Sequence, residues 1–229
     1  MKQLKVLSII PHVTGAMSVI GSSWIMFDVL RDRKKWHKTY HRLIFVMSFL
    51  DCFTSSACAL STIPIPRDTP GVYNPRGTTA TCTAQGFFTQ LSIIGPMYNC
   101  MLALYFLLLV GRGVPERRIA TKIEPYMHVT CWVLAFSMGF ILLRMKMFNS
   151  STLWCWQNDY PPNCEGKYGK PGPVPCERGK HAWLFRWLFY YALLWVILAV
   201  TAFFMFMLWY KVSACNGAIL QVLFFLSHI

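Results

Sequence analysis

Acidic side chains are scarce in this sequence, which has nine Asp and Glu residues against 22 Lys and Arg residues among 229 positions. A formal net charge of +13 is compatible with nucleic-acid binding, but the basic residues form short blocks between apolar segments. Contacts with loops and lipid headgroups explain such blocks more simply than a nucleic-acid surface does. We therefore expect no nucleic-acid partner.

Histidine is also sparse, with six residues in the whole chain. His37 and His41 lie one helical turn apart, as the ligands of membrane-bound iron oxygenases do, but such sites need several pairs and the other four histidines are isolated. We interpret His37 and His41 as part of a basic loop. The sequence contains no nucleophile elbow, no phosphate-binding loop and no HExxH motif, so we expect neither enzymatic activity nor a cofactor.

Apolar residues, by contrast, are abundant: they make up 55% of the chain, aromatic residues make up 16%, and the mean hydropathy is +0.41. Such a composition is typical of a polytopic membrane protein. We predict an all-α fold, a transmembrane helical bundle with five spans at about residues 7–30, 40–63, 81–110, 125–148 and 183–210. In residues 213–229 the apolar run 218–226 is too short to cross a membrane, so this end of the chain is atypical.

Span three is the longest predicted span, and we expect it to lie centrally. A helix of its length extends roughly 45 Å, more than the roughly 30 Å of a bilayer core, so it should be tilted. Gln85, Gln90, Tyr98 and Asn99 lie within it, and lipid cannot satisfy their amide and hydroxyl groups. These side chains should face other helices, and Gly95-Pro96 predicts a kink between them.

Asp51 lies near the middle of predicted span two, where an ionised carboxylate is costly unless it is paired, hydrated or protonated. Two interpretations stay open, a role in signalling and a polar contact that joins spans two and three, with Asn99 as the expected partner. In span one, Gly15, Ser18 and Ser22 recur at three- and four-residue spacing. Small residues on one face allow a neighbouring helix to approach closely.

The basic residues indicate an orientation. The loop 31–42 contains six Lys and Arg residues and one Asp, so the positive-inside rule makes it cytoplasmic and places the N-terminus outside. Over the whole chain the 22 basic residues divide evenly between the two sides, so the orientation depends on this first loop. Asn149-Ser150-Ser151 is a glycosylation sequon on the predicted outer side. We expect a glycosylated, multi-pass protein of the plasma membrane.

Four of the nine cysteines, Cys82, Cys155, Cys164 and Cys176, fall on the predicted outer side, where disulfides can form. Four cysteines allow three pairings. We favour Cys82 with Cys155, which would tie the start of span three to the long loop between spans four and five, and Cys164 with Cys176. A zinc site that includes His181 is the alternative, although the loop has no CxxC motif.

Several short motifs lie within the spans or at their ends: Gly15, Ser18 and Gly21; His41-Arg42-Leu43 and Asp51; Cys82; Tyr98-Asn99 through Tyr105; Glu116-Arg117-Arg118-Ile119; Glu124-Pro125-Tyr126-Met127-His128; and Trp154-Cys155-Trp156. On these residues the chain resembles, over about residues 14–212, the first five helices of a seven-transmembrane G-protein-coupled receptor. The cyclic-AMP-receptor-like and secretin-like receptors are the most similar. Residues 1–212 would thus form a receptor-like transmembrane domain.

The resemblance implies a disulfide between Cys82 and Cys155, an unknown extracellular ligand that binds towards the outer half, and inner loops that engage a heterotrimeric G protein. Arg112, Arg117 and Arg118 are the candidate G-protein-facing residues. Since no sixth or seventh span follows Lys211, the resemblance also predicts an incomplete chain, and the short N-terminus argues against a peptide ligand. A transporter and a non-signalling structural membrane protein are the alternatives, although a transporter usually contains inverted repeats that we do not find.

Overall fold

The computed structural model describes residues 2–67, 69–162, 164 and 174–226, and the protein is mostly helical. Five helices are long and apolar enough to cross a membrane: Lys5–Arg31, Thr39–Ala59, Thr79–Gly111, Glu116–Arg144 and Ala182–Ala214. The predicted all-α architecture of a multi-pass membrane protein is therefore confirmed.

The spans are built from the following helical segments. Span one is the helix Lys2–Arg31, and a short helix, Arg33–Trp36, leads to span two, Thr39–Ala59. Span three consists of Thr79–Gln90, the 3-10 turn Leu91–Ile93, Ile94–Phe106 and the π-helical turn Leu107–Gly111. Span four consists of Glu116–Arg118, the π-helical turn Ile119–Ile123 and Glu124–Arg144. Span five consists of Ala182–Arg186, the π-helical turn Trp187–Ala192 and Leu193–Leu226.

The ends of three spans differ from the predictions. Span two ends at Ala59 and not at residue 63, and turns follow up to Pro64, whose ring cannot continue a helix. Span four begins at Glu116 and ends at Arg144. The last helix continues to Leu226, so the apolar run 218–226 extends span five and is not a separate segment.

Span three departs from regular α-helix where the sequence predicted a kink. The 3-10 turn Leu91–Ile93 lies directly before Gly95-Pro96. Since Pro96 has no N–H, it cannot donate the hydrogen bond that a helix directs to residue 92. The loss of this hydrogen bond accounts for the 3-10 turn Leu91–Ile93.

Outside the helices, the loop between spans four and five contains a two-stranded hairpin. Strand β1, Phe148–Ser150, pairs antiparallel with strand β2, Cys155–Gln157, with Phe148 opposite Gln157 and Ser150 opposite Cys155. We call the side of the bundle that contains this hairpin the outer side, and the opposite side the inner side.

Span three is the centre of the bundle, as predicted. Of the residues in its most apolar stretch 44% are buried, against 11% in span one and 6% in span five. It contacts spans two, four and five, and Tyr98 in its middle is fully buried. This position lets span three connect groups on the two sides of the protein.

Span one packs on span two through its small residues. A side-chain carbon added to Gly15 would lie 2.7 Å from Cβ of Ala59 and 2.8 Å from the carbonyl oxygen of Ser55. No Cβ atom is normally found this close to such neighbours, so only glycine permits the approach. The close approach of a neighbouring helix that was predicted for span one is confirmed at Gly15.

Candidate functional site

Two disulfides stabilise the outer side. Cys82, at the start of span three, is bonded to Cys155 of strand β2, with 5.3 Å between their Cα atoms. Cys164 is bonded to Cys176, with 5.1 Å between their Cα atoms. Both predicted pairs are confirmed. Asp159 lies close to the second pair, but sulfur atoms in a disulfide are not thiolate ligands, so the zinc alternative is not supported.

Gln85 of span three is the polar centre of the outer side. Its Oε1 accepts a hydrogen bond from the backbone N–H of Cys155 at 2.8 Å. Its Nε2 donates to the carbonyl oxygens of Ala57 at 2.9 Å and Ser61 at 2.8 Å. This buried amide therefore connects the end of span two, span three and strand β2, and its three hydrogen bonds replace those that water would make.

Gln90, one and a half turns further along span three, makes a second connection to strand β2. Its Oε1 accepts from Nε1 of Trp156 at 3.0 Å and from Nε2 of Gln157 at 2.7 Å. Arg186 of span five donates to the carbonyl oxygen of Gln157, and its guanidinium carbon lies 5.6 Å from the centre of the Trp156 ring. We call the hairpin with Cys82, Gln85, Gln90 and Arg186 the outer cap.

The predictions for Gln85 and Gln90 are confirmed, because both amides bond to protein groups. Gln157 and Arg186 were not predicted to take part. Arg186 could have been found in the sequence, because it is a charged residue near the start of an otherwise apolar span. Gln157 carried no comparable signal, since a glutamine in a loop is common.

Asn149 does not have the accessible position that a glycosylated residue needs. It is 5% exposed and lies in strand β1. Its Nδ2 donates to the carbonyl oxygens of Lys146 at 3.1 Å and Asn158 at 2.7 Å, so both of its amide hydrogens are used. The expected glycosylation at Asn149 therefore disagrees with the folded structure, in which this sequon has a structural role.

A charged cluster joins the inner ends of spans two, three and four. Glu124 accepts hydrogen bonds from Arg42, with 2.6 Å from Nε to Oε1 and 2.5 Å from Nη2 to Oε2, and from the hydroxyl of Thr39 at 2.9 Å. Its side chain is only 8% exposed. A carboxylate so deeply placed needs a charged partner and several donors, and Arg42 and Thr39 provide them.

Glu116 extends this cluster to span three. Its Oε1 accepts from the backbone N–H of Thr39 at 2.7 Å, and its Oε2 accepts from the hydroxyl of Tyr105 at 2.8 Å. We call Thr39, Arg42, Tyr105, Glu116 and Glu124 the inner network. Sequence analysis placed Arg42, Tyr105, Glu116 and Glu124 in receptor-like motifs but did not predict that they contact one another.

Tyr98 connects the inner network to the middle of the bundle. Nε1 of Trp132 donates to the Tyr98 hydroxyl oxygen at 3.0 Å, and that oxygen lies 2.7 Å from Nδ1 of His128. If the hydroxyl donates to Nδ1, the proton of a neutral imidazole is on Nε2, which lies 3.6 Å from Oε1 of Glu124. Tyr98 thus faces the interior of the bundle, as predicted.

The three arginines predicted to face a G protein lie beside this network. Arg112 lies in the short inner connection between spans three and four, Arg117 and Arg118 lie in the first turn of span four, and all three are exposed. Glu116, which precedes two of them, is held by Thr39 and Tyr105. The structure therefore displays a basic surface on a fixed inner turn.

Asp51 contacts span one and not span three, which corrects the predicted pairing with Asn99. Its Oδ2 accepts from the hydroxyls of Ser18 at 2.8 Å and Ser22 at 2.6 Å, and its Oδ1 accepts from Ser55 at 3.1 Å. Asn99 is exposed, and both residues line an open cleft of about 330 Å³ among spans one, two and three. Depth within each span was predictable, but the direction of each side chain around its helix was not.

No protein-family model matches this chain, and comparison with curated proteins finds no match either.

Proposed function

We propose that this chain is a G-protein-coupled-receptor-like protein that transmits a signal across the plasma membrane, with its N-terminus outside. The main support for the proposal is the position of span three, which has contacts at both ends of the bundle. Its outer end belongs to the outer cap through Cys82, and its inner end reaches the inner network through Tyr105. Span three therefore connects the outer side, where a receptor would bind its ligand, with the inner side, where it would bind its partner.

The outer and inner ends of span three are held by different kinds of contact. At the outer end, a disulfide and buried amides fix span three to the loop between spans four and five. At the inner end, hydroxyl and ionic contacts hold span three to spans two and four. A ligand that moved the outer cap would move the outer end of span three with it, and a small shift is sufficient to exchange one set of inner contacts for another. Such exchange is how we propose that the signal passes inward.

The partner on the inner side would be a heterotrimeric G protein. Arg112, Arg117 and Arg118 are exposed there, and clustered basic side chains favour a partner surface that carries acidic groups.

Recruitment of a G protein without added agonist tests the proposal. We expect the parent chain in proteoliposomes to retain purified heterotrimer above the level of empty vesicles, and the double variant Arg117→Gln/Arg118→Gln to reduce that retention by severalfold. Arg144→Gln is the matched control, because Arg144 is an exposed arginine at the outer end of span four. Retention equal to that of empty vesicles, or unaffected by the double variant, would support a structural membrane protein.

The proposed orientation is tested separately. Lys146 is exposed on the outer side, and Lys122 is exposed on the inner side. In intact cells, a membrane-impermeant thiol reagent should label Lys146→Cys and not Lys122→Cys. For each variant, the labelling of the parent chain is subtracted as background. The reverse pattern would place the N-terminus in the cytosol.

A further inference from the structure

A second cleft, of about 550 Å³, lies between the outer ends of spans two and three. Its walls are mainly apolar and include Phe53, Ala57, Leu60, Ile63, Ala84 and Phe88. The volume is within the range of roughly 300 to 1,000 Å³ that ligand pockets have. None of the contacts that support the proposed receptor function explains this space.

The cleft opens towards the bilayer. Phe53 in span two and Phe88 in span three are 48% and 40% exposed. Leu60 and Ile63, in the turns directly after span two, are 47% and 39% exposed. Large apolar side chains that are exposed within a membrane span face lipid. An occupant would therefore enter sideways from the membrane.

The length of the cleft is within that of one lipid leaflet. Its lining on span three extends from Thr81 to Phe88, seven residues further along the helix. At about 1.5 Å per residue this distance is about 10 Å, less than half of a bilayer core of about 30 Å. Part of one acyl chain of the adjoining leaflet has the matching length.

The interior of the cleft offers few polar groups to a ligand. The Gln85 amide is bonded to Ala57, Ser61 and Cys155. The hydroxyl of Thr81 donates to the carbonyl oxygen of Pro64 at 2.8 Å, and Ser56 adds a single exposed hydroxyl to the lining. A polar occupant would lose most of its hydrogen bonds to water without replacement, so hydrocarbon is the preferred occupant.

At the mouth of the cleft the chemistry changes, because Arg76 lies there. Its backbone N–H donates to the carbonyl oxygen of Ile63 at 3.2 Å, which fixes the residue beside the apolar wall. Its Nε donates to Asn74, and among the described residues no carboxylate forms an ion pair with it. Arg67 donates to the carbonyl oxygen of Arg76 at 3.3 Å and so brings a second positive charge to the mouth.

We propose that this cleft binds an acidic phospholipid of the leaflet next to the outer cap. One acyl chain lies between spans two and three, and the phosphate contacts Arg76. Arginine suits this role because its planar guanidinium donates two parallel hydrogen bonds to phosphate oxygens. The fixed guanidinium of Arg76 matches the phosphate of such a lipid, and the apolar cleft, whose length is within that of one leaflet, matches its acyl chain.

Photolabelling tests the proposal. The protein is placed in phosphatidylcholine nanodiscs that contain phosphatidylglycerol with a photoreactive group in its acyl chain, and labelled peptides are mapped. We expect label on the segment 81–90 and on span two near Ala57. Arg76→Gln should reduce this label by at least threefold. Arg144→Gln, an exposed arginine on the same side of the membrane, should leave it unchanged.

Two further measurements complete the test. Ala84→Phe should reduce the label, because the larger side chain fills the cleft. If Ala84→Phe does not fold, Arg76→Gln alone decides the question, since Arg76 is exposed and its substitution should not prevent folding. Photoreactive phosphatidylcholine should label the segment more weakly than phosphatidylglycerol does. Equal labelling by both lipids, no label at the cleft, or full labelling of Arg76→Gln would overturn the assignment.

Discussion

The outer cap and the inner network hold the same helix by different means. The outer cap holds span three by a disulfide and by the neutral amides of Gln85, which is 3% exposed, and Gln90, which is fully buried; its charged residue, Arg186, belongs to span five. The inner network uses carboxylates, a guanidinium and hydroxyls, and the Arg42 side chain remains 21% exposed. The outer end of span three is therefore held permanently, whereas its inner end is held by contacts that water and other charges can replace.

From this difference we expect the inner end of the bundle to move more easily than the outer end. Breaking the outer cap requires reduction of a covalent bond, whereas opening the inner network requires only that noncovalent contacts are exchanged, and Arg42 and Glu116 are partly exposed in it. A signalling protein needs the second kind of contact on the side where its conformation changes.

The largest expected effect is the loss of the outer disulfide. Cys82→Ala/Cys155→Ala removes a link between residues 73 positions apart, which constrains the unfolded chain by about 4 kcal/mol in the loop-entropy treatment. We expect a corresponding decrease in the free energy of unfolding in detergent, followed by tryptophan fluorescence during chemical denaturation.

The second disulfide is the matched control for that measurement. It links residues 12 positions apart, and its loop-entropy contribution is about 3 kcal/mol. Cys164→Ala/Cys176→Ala should therefore destabilise less than the first double variant, and it should not disturb the Gln85 and Gln90 contacts. A greater loss in this control would show that the link to span three is not the main constraint on the outer side.

The next effect concerns the inner network. Glu124→Gln removes the charge that faces Arg42, and hydrogen bonds to charged groups contribute about 1.5 to 3 kcal/mol. We expect a decrease of that size in unfolding free energy. Asp28→Asn is the control, because the Asp28–Lys35 pair is exposed and such pairs contribute at most about 1 kcal/mol. If Glu124→Gln and Asp28→Asn lowered the free energy of unfolding equally, the inner network would contribute no more to stability than an exposed ion pair does.

Sequence patterns were sufficient for the five spans, because long apolar segments between polar loops have few other stable structures. They also restricted the disulfides to four cysteines on the outer side, and of the three pairings that four cysteines allow, the favoured one is observed. The span ends were less predictable. Residues 60–63, Leu-Ser-Thr-Ile, contain no charged side chain that would mark the end of the span, and backbone geometry near Pro64 decides where span two stops.

The partners of polar side chains were the least predictable feature. Gln85 and Gln90 were expected to face protein, and they do, but their bonds to strand β2 depend on how a distant loop folds back. Asn149 matched a sequon, although folding uses its amide inside the hairpin. In each case a residue's depth or type is local information, whereas its partner is set by the packing of segments far apart in the chain.

Asp51 provides the smallest and most specific test, because its observed partners differ from the predicted one. Asp51→Leu leaves the hydroxyls of Ser18, Ser22 and Ser55 without the carboxylate, and contacts of this kind between membrane helices contribute about 0.5 to 2 kcal/mol. Asp51→Asn should retain most of that stability, since an amide oxygen still accepts two hydroxyls. Asn99→Leu should leave the unfolding free energy unchanged, because Asn99 is exposed in the cleft. Equal destabilisation by Asp51→Leu and Asn99→Leu would instead indicate that the two residues are partners and that Asp51 joins spans two and three.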